Sequence, residues 1–384
     1  MIRVLMISDV FFPRVNGVST SIATFRRALS AFDVEVRLLV PRYGLEADAP
    51  GIVRVPGRRL PFDPEDRLVR LRAMDEAARR EAAECDLVHI QTPFAAHRSG
   101  LRAARACGRA TLLTYHTFFE EYLHHYAPFL PATALRGLAR RVSRAQCNAV
   151  DRVVVPSTAM RDRLAGYGVS TPMEILPTGI PVQDFAGGDR LHFRRLYDIP
   201  DHAPMALYIG RVAHEKNIGF LLEVAARLKA QRPGFVLVIA GEGPATPSLQ
   251  RQVLRDGLAG SVRFVGYLER RKRLPDCYAA ADVFVFASRT ETQGLVLLEA
   301  MAAGLPVVAL AAMGTTDILG PERGARIAPD SPAGFAEVVE DVIANGRLRK
   351  QLAAEARGYA REWADSLMAE RLAALYRRQL EGRA

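Results

Sequence analysis

The stretch Ser288-Arg289-Thr290-Glu291-Thr292-Gln293-Gly294-Leu295-Val296-Leu297-Leu298-Glu299 follows a strand-like run, Val283–Ala287, and carries two carboxylates with seven residues between them. Gly294 reads as the opening of a helix that Gly304 ends. The first N–H groups of such a helix, at Gly294, Leu295 and Val296, have no partner inside it and suit a phosphate. Glu299, one and a half turns in, would repel phosphate but accepts hydrogen bonds from sugar hydroxyls, as the acidic residue of dinucleotide folds does for ribose. Glu291, in the loop ahead, suits a second sugar. The structural alternative makes Glu299 a solvated helix position and Thr290 or Glu291 a cap. Against it, Glu299 is flanked by Leu297, Leu298, Ala300 and Met301. Its charge is then either on the narrow polar side of a buried helix or held by a ligand.

A second group, Gly210-Arg211-Val212-Ala213-His214-Glu215-Lys216-Asn217, follows the strand-like run Met205–Ile209. Arg211 and Lys216 leave one strand edge together beside a helix start near Asn217, and two such cations suit a diphosphate, arginine as a fork and lysine as a point charge. The plain alternative is a surface turn with a Glu215–Lys216 charge mix. Near the N-terminus, Pro13-Arg14-Val15-Asn16-Gly17-Val18-Ser19 is another glycine turn entering a helix. Thr114-Tyr115-His116-Thr117 places His116 at a strand's carboxyl end, where a histidine is either structural or functional.

The elements that must position these residues alternate between short β-branched or leucine-rich runs and amphipathic stretches, the pattern of parallel α/β layers. Strands are expected at Arg3–Ser8, Glu35–Val40, Ile52–Val55, Leu87–Gln91, Thr111–Tyr115 and Arg152–Pro156. A second series follows at Met205–Ile209, Phe235–Ala240, Val262–Val265, Val283–Ala287 and Pro306–Leu310. The turn formers Leu176-Pro177-Thr178-Gly179-Ile180-Pro181 and Gly187-Gly188 mark a junction. This predicts domains over 1–180 and 181–362, with a terminal helix from about 363 to 384 packing back on the first. Leu367, Leu372, Leu375 and Tyr376 form that helix's apolar side. Ligands are expected at the carboxyl ends of the strands, in a cleft between the two domains.

Composition narrows the classes further. The 384 residues are 49% hydrophobic and 24% charged, which supplies two cores and excludes disordered and fibrous proteins. No run approaches the roughly 20 apolar residues of a membrane span. Met1-Ile2-Arg3 leads straight into the first strand-like run, so no signal peptide is expected and the cytoplasm is the expected compartment. Cys85, Cys107, Cys147 and Cys277 lie far apart, without metal or redox spacing. The net charge of +10 is uneven, with 25 basic and 18 acidic side chains in residues 1–180 against 27 and 24 beyond. Either genome base composition, visible in an arginine-rich and lysine-poor sequence, or an anionic surface accounts for that excess.

Taken together, Gly17, Gly210–Lys216, Gly241-Glu242-Gly243-Pro244, the Glu291/Glu299 pair and Glu299-Ala-Met-Ala-Ala-Gly-Leu-Pro-Val-Val resemble the retaining glycosyltransferases of family four over nearly the whole chain. The resemblance implies an α/β GT-B fold, two Rossmann-like parallel-sheet domains facing across a cleft. It implies that Glu299 holds the ribose of a nucleotide sugar, that Glu291 lies at the hexose hydroxyls, and that Arg211 and Lys216 grip the diphosphate. Gly17 then faces the same phosphates from the other domain, and His116 lies near the donor sugar. Gln293 departs from the family, where phenylalanine is common. The implied reaction retains configuration at the anomeric carbon with no dedicated nucleophile. Positive charge stands in for a metal, so neither cofactor nor metal is expected.

For the acceptor, Tyr115–Tyr126, rich in aromatic and acidic residues, resembles the corresponding segment of bacterial diacylglycerol glucosyltransferases. Pro131–Gln146 carries Arg136, Arg140, Arg141 and Arg144 with no acid, beside an apolar stripe of Leu135, Leu138 and Val142. This reads either as a helix on an anionic membrane surface or as an ordinary packed helix with a solvated arginine face. The expected reaction moves a hexose, glucose from UDP-glucose, to a membrane lipid such as diacylglycerol at the cytoplasmic face. The first alternative is a GDP-mannose-dependent mannosyltransferase acting on phosphatidylinositol or another glycolipid, and a second is a nucleotide-sugar epimerase. A nucleic-acid partner is not expected, because it would leave the carboxylate and phosphate groups unexplained.

Overall fold

A computed structural model describes residues 1–47, 49–59, 66–116, 132–270 and 272–382, without the side chains of 132–135. The chain divides into two units, Met1–Gly179 with Asp365–Ala384, and Ile180–Ala364.

The strands of the first unit are β1 (Ile2–Ile7), β2 (Val34–Pro41), β3 (Ile52–Val55), β4 (Gly57–Arg59), β5 (Arg67–Val69), β6 (Leu87–Ile90), β7 (Ala110–Thr114), β8 (Arg152–Val155) and β9 (Met173–Ile175). Its helices before the junction are α1 (Gly17–Leu29), α2 (Leu71–Ala83), α3 (Ala95–Cys107), α4 (Ala132–Cys147) and α5 (Thr158–Gly166). The seven-stranded sheet has the order β3-β2-β1-β6-β7-β8-β9, parallel throughout, while β4 and β5 form a separate hairpin. β1 stops at Ile7, one residue before the expected Ser8, because the Ser8 hydroxyl turns back on Val10, donating to its carbonyl at 2.7 Å. The hairpin and the three-residue β9 carry no alternating or β-branched run long enough to announce them.

The second unit has β10 (Met205–Ile209), β11 (Val236–Ala240), β12 (Val262–Gly266), β13 (Val283–Phe286), β14 (Val307–Ala309) and β15 (Ala325–Ile327). Its helices are α6 (Arg190–Leu196), α7 (Ile218–Gln231), α8 (Thr246–Arg255), α9 (Arg273–Ala280), α10 (Leu295–Ala302), α11 (Thr315–Leu319), α12 (Pro332–Ala344) and α13 (Gly346–Arg361). The parallel order is β12-β11-β10-β13-β14-β15. The chain therefore winds one way from β10 to β12 and the other way from β13 to β15. Between β10 and β13 the connections diverge, and this switch point is where such sheets leave room for a ligand. Arg194 of α6 is fully buried, donating to the carbonyls of Pro200, Ala203 and Ala280 and to Asp282. One guanidinium thus closes the loop ends beneath β10 and β13.

The chain returns to the first unit as α14 (Asp365–Glu381). Met368, Ala369, Leu372, Leu375 and Tyr376 are buried in that unit's core with Ile22, Phe25 and Leu29 of α1. Leu367, expected on the apolar side, is 44% exposed, and Met368 takes its place. Tyr376 also bonds to the buried His89 of β6 at 2.7 Å, whose other ring nitrogen meets the Thr114 hydroxyl of β7 at 2.7 Å.

Burial pushes the His89 pKa down to about 3. The unfolded chain accepts a proton near pH 6.5 that the folded chain refuses, so this part of the stability is complete above pH 6.5 and is lost as pH falls toward 3. Between pH 7 and 5 the loss amounts to about 2 kcal/mol from this residue. Urea unfolding of the wild type and His89→Gln at the two pH values should show a smaller pH dependence in the variant. An identical dependence would contradict the assignment.

Candidate active site

At the carboxyl end of β10 the chain turns through Gly210, and the turns after β10 and β11 close on each other. A Cβ on Gly241 would stand 1.9 Å from the Gly210 carbonyl oxygen, so only glycine fits there. Val212 N–H donates to the Glu242 carbonyl at 2.9 Å and fixes the same pair of turns. Arg211 leaves this edge half-exposed, and its guanidinium meets Glu215 at 2.9 Å. Burial pushes the Glu215 carboxyl up, but its own backbone hydrogen bond and the Arg211 and Lys216 cations outweigh that and hold it below the usual range. Lys216 lowers the Glu215 pKa from the next position, but it is more than one member of a local charge mix. Its ammonium is in direct contact with Glu291, across the switch point and 75 positions along the chain. Asn217, left-handed at φ +56°, opens α7 and donates its side-chain amide to the Ala287 carbonyl at 3.1 Å. The ends of β10 and β13 are thereby stitched together on both sides of the lysine.

After β13 the chain runs through Ser288–Gln293 to Gly294, whose φ of +94° lets it turn directly into α10. The first turn of α10, Leu295 and Val296, is therefore at the carboxyl edge of the sheet beside the Lys216–Glu291 pair. Within α10, Leu297, Leu298, Ala300 and Met301 are fully buried, and Glu299 among them is only 3% exposed. Glu299 is thus not a solvated helix position. Two protein groups meet its oxygens: Arg270 touches Oε1, and the Tyr278 hydroxyl donates to Oε2 at 3.1 Å. Burial, and after it the Glu299 charge, drives the Tyr278 phenol well above its ordinary pKa, so it remains a donor.

In the first unit the corresponding switch point is between β1 and β6, whose neighbours β2 and β7 lie on opposite sides. Asn16 caps α1, accepting from Ser19 N–H at 2.8 Å, and Gly17 is its first residue. A Cβ on Gly17 would meet no protein atom within 4 Å. Packing inside the chain therefore does not account for a glycine there. His116 lies just past β7 and bonds through Nε2 to the Gln91 side-chain oxygen at 3.0 Å, at the end of β6. Burial lowers its pKa to about 4, so the imidazole is neutral near pH 7. Asp9, at the end of β1, accepts from Thr92 Oγ1 at 2.7 Å and from Ala96 N–H at 3.1 Å, at the start of α3. Burial still raises its pKa against those bonds.

Sequence reasoning missed Asp9, Gln91, Arg270 and Tyr278. Asp9 had a signal, a carboxylate ending the first strand. Arg270 begins Arg270-Arg271-Lys272-Arg273, which by itself reads as a solvated face.

On α4, Arg136, Arg140, Arg141 and Arg144 are exposed, and so are Leu138 at 55% and Val142 at 44%. The helix is seated by Ala139, Ser143 and Cys147, with Ser143 Oγ 2.6 Å from the Tyr115 hydroxyl. Residues 117–131 and the Leu135 side chain, which carry the rest of the expected acceptor segment, lie outside the described residues. Among the described residues no helix is long and apolar enough to cross a membrane.

Residues 15–184 match the description Glycosyltransferase Family 4, and residues 189–359 match Glycosyl transferases group 1. The chain is 31% identical to an alpha-monoglucosyldiacylglycerol synthase of Streptococcus pneumoniae, over 80% of this chain and 70% of that one. It is 30% identical to a GDP-mannose-dependent alpha-mannosyltransferase of Mycobacterium tuberculosis, over 94% and 93%. Among solved structures, HepE of Anabaena in complex with UDP and glucose superimposes with a TM-score of 0.77 at 18% identity, covering 98% of this chain and 99% of that one. With both halves of the chain matched and both sheets parallel and Rossmann-like, the protein belongs to glycosyltransferase family 4 and has the GT-B fold.

Proposed function

We propose that this glycosyltransferase moves a hexose, glucose from UDP-glucose, to a membrane lipid such as diacylglycerol, with retention at the anomeric carbon. The observation that carries the reading is that Arg211, Lys216, Glu291 and the Gly294 end of α10 lie on the loops that leave the second unit's switch point, with Lys216 on Glu291 and with Glu299 buried further along α10. In this reading Glu299 accepts from the ribose hydroxyls and Glu291 from the hexose hydroxyls. Arg211, Lys216 and the N–H groups of Gly294, Leu295 and Val296 hold the diphosphate, and the turn at Gly210 frees the backbone that carries the arginine. Gly17 lets a phosphate approach the start of α1, and neutral His116 is a hydrogen-bond partner of the donor sugar.

The acceptor hydroxyl attacks the anomeric carbon on the face the diphosphate leaves. The bond from that carbon to the phosphate oxygen breaks as the bond to the acceptor oxygen forms, and the acceptor's proton passes to the departing phosphate. Charge grows on that phosphate in the transition state, so the two cations and the helix end contribute more there than in the ground state. The name of the streptococcal relative favours glucose and diacylglycerol. The name of the mycobacterial relative favours the GDP-mannose donor of the second reading, in which the acceptor is phosphatidylinositol or another glycolipid. Binding of UDP against GDP, followed by turnover with each sugar, separates the two. Transfer to lipid separates both from an epimerase, which needs no acceptor.

Glu299→Ala should weaken nucleotide-sugar binding roughly tenfold or more, the loss of hydrogen bonds to a charged group. Arg211→Ala and Lys216→Ala should lower kcat by about a hundredfold, on the scale of losing an oxyanion-stabilising donor. Calorimetry and steady-state kinetics test this, and wild-type values in all three variants would sink the assignment.

Activity should also survive exhaustive chelation, since side-chain cations carry the leaving-group charge. A strict need for magnesium or manganese in the purified enzyme would contradict this.

The exposed arginines of α4, each contributing about 1 kcal/mol at an anionic surface, and the exposed Leu138 and Val142 beside them support peripheral membrane binding. The protein should sediment with anionic vesicles at low salt and release as salt rises. Replacing the four arginines with glutamine should abolish sedimentation while leaving nucleotide binding intact. Indifference of the wild type to such vesicles would favour a soluble sugar acceptor.

A further inference from the structure

Glu299 is a carboxylate inside an apolar helix, and an ion in that position is costly unless a cation and hydrogen bonds satisfy it. Three separate elements supply what it needs. Arg270 comes from the connection between β12 and α9, and Tyr278 from α9. Phe185, from the single turn Val182–Phe185, lies under the guanidinium at 5.2 Å and meets the Tyr278 ring edge-on at 5.8 Å. Phe185 and Tyr278 are each 1% exposed, so neither aromatic is free to give way. Arg270 meets one carboxylate oxygen and Tyr278 the other. A carboxylate offers about four lone-pair directions, so each oxygen keeps one for an incoming donor. Two adjacent acceptors fixed this way match a pair of neighbouring hydroxyls and match one hydroxyl alone less well.

We propose that Arg270, braced by Phe185 and assisted by Tyr278, is the positioning residue that aims Glu299 at the two ribose hydroxyls and sets the preference for a ribonucleotide donor over its 2′-deoxy counterpart. The inference rests on the reading above that places ribose at Glu299. It adds a group that acts through the carboxylate without touching the reacting atoms.

Binding of UDP and 2′-deoxy-UDP, and of GDP and 2′-deoxy-GDP, to wild type, Arg270→Gln, Arg270→Lys, Tyr278→Phe and Glu299→Gln tests it by calorimetry. The wild type should prefer the ribonucleotide by on the order of tenfold, the size of a hydrogen bond to a charged group. Arg270→Gln should bring that ratio close to one and raise the donor KM with little change in kcat, and Arg270→Lys should restore part of the ratio. Should Arg270→Gln not fold, Arg270→Lys and Tyr278→Phe carry the test, each with a ratio below wild type. A merely structural arginine would change the melting temperature and leave the ratio alone. A folded Arg270→Gln with the wild-type ratio, or wild-type ratios in both milder variants, overturns the proposal. If Glu299→Gln loses the ratio in that case, the ribose reading stands and only Arg270's part falls. If Glu299→Gln keeps it, the ribose reading falls as well.

Discussion

The contact between Lys216 and Glu291 spans the point where the second sheet changes direction. In a parallel sheet every strand ends at the same edge, and only at the switch point do neighbouring connections part and leave backbone groups without a covering layer. The ammonium comes from the turn after β10 and the carboxylate from the loop after β13, so the pair fixes these two loops as one surface. Asn217 reinforces it from the start of α7, and Gly314 N–H, donating to the Glu291 carbonyl at 2.9 Å, holds the loop from the other side. A pair this sheltered, with both side chains under one fifth exposed, is screened much less by salt than one on an open face. What the loops present therefore depends on charges that the fold itself brings together.

Three enclosed or half-enclosed charges at strand and helix ends show how the fold satisfies them. Arg194 and Glu299 are buried and Asp9 is half-buried, and their partners are carbonyls around β10 and β13 for the first, the Arg270–Tyr278 pair for the second, and Thr92 with amides at the start of α3 for the third. Arg194 and Asp9 bind loops to strand ends, so removing either side chain leaves several backbone groups unpaired at once. Glu299 differs, because its partners are side chains and two of its acceptor directions remain. That difference is what the proposed ribose contact at Glu299 rests on.

The sequence revealed most where a local rule governs. β-branched runs marked the long central strands, and Gly294 followed by an apolar run marked α10, because a positive φ and a helix start are decided within a few residues. It found the edge strands β3 and β12 but missed the opposite edges, where β9 and β15 are three residues each and exist only by pairing with a neighbour. It failed in the same way at the site. Glu299 was conspicuous as a charge among leucines, yet its partner Arg270 lies 29 positions away in a basic run that looks solvated. Likewise Leu367 and Met368 are adjacent and both apolar, and only the docking of α14 on α1 decides which faces inward.

That docking makes the first unit discontinuous. Residues 180–364 supply the second unit in one piece, so its core can close without any residue outside them. The core of the first unit instead includes Met368, Leu372 and Tyr376, from beyond the second unit, and His89 Nδ1 in its centre meets the Tyr376 hydroxyl. Where the two chain crossings leave the second unit they run side by side, Ile180 N–H donating to the Trp363 carbonyl at 2.9 Å. Folding of the second unit thus brings the ends of residues 1–179 and 365–384 together. A second unit already folded turns a closure over some 185 residues into a short-range one for α14, and so lowers the loop-closure entropy the first unit has to meet.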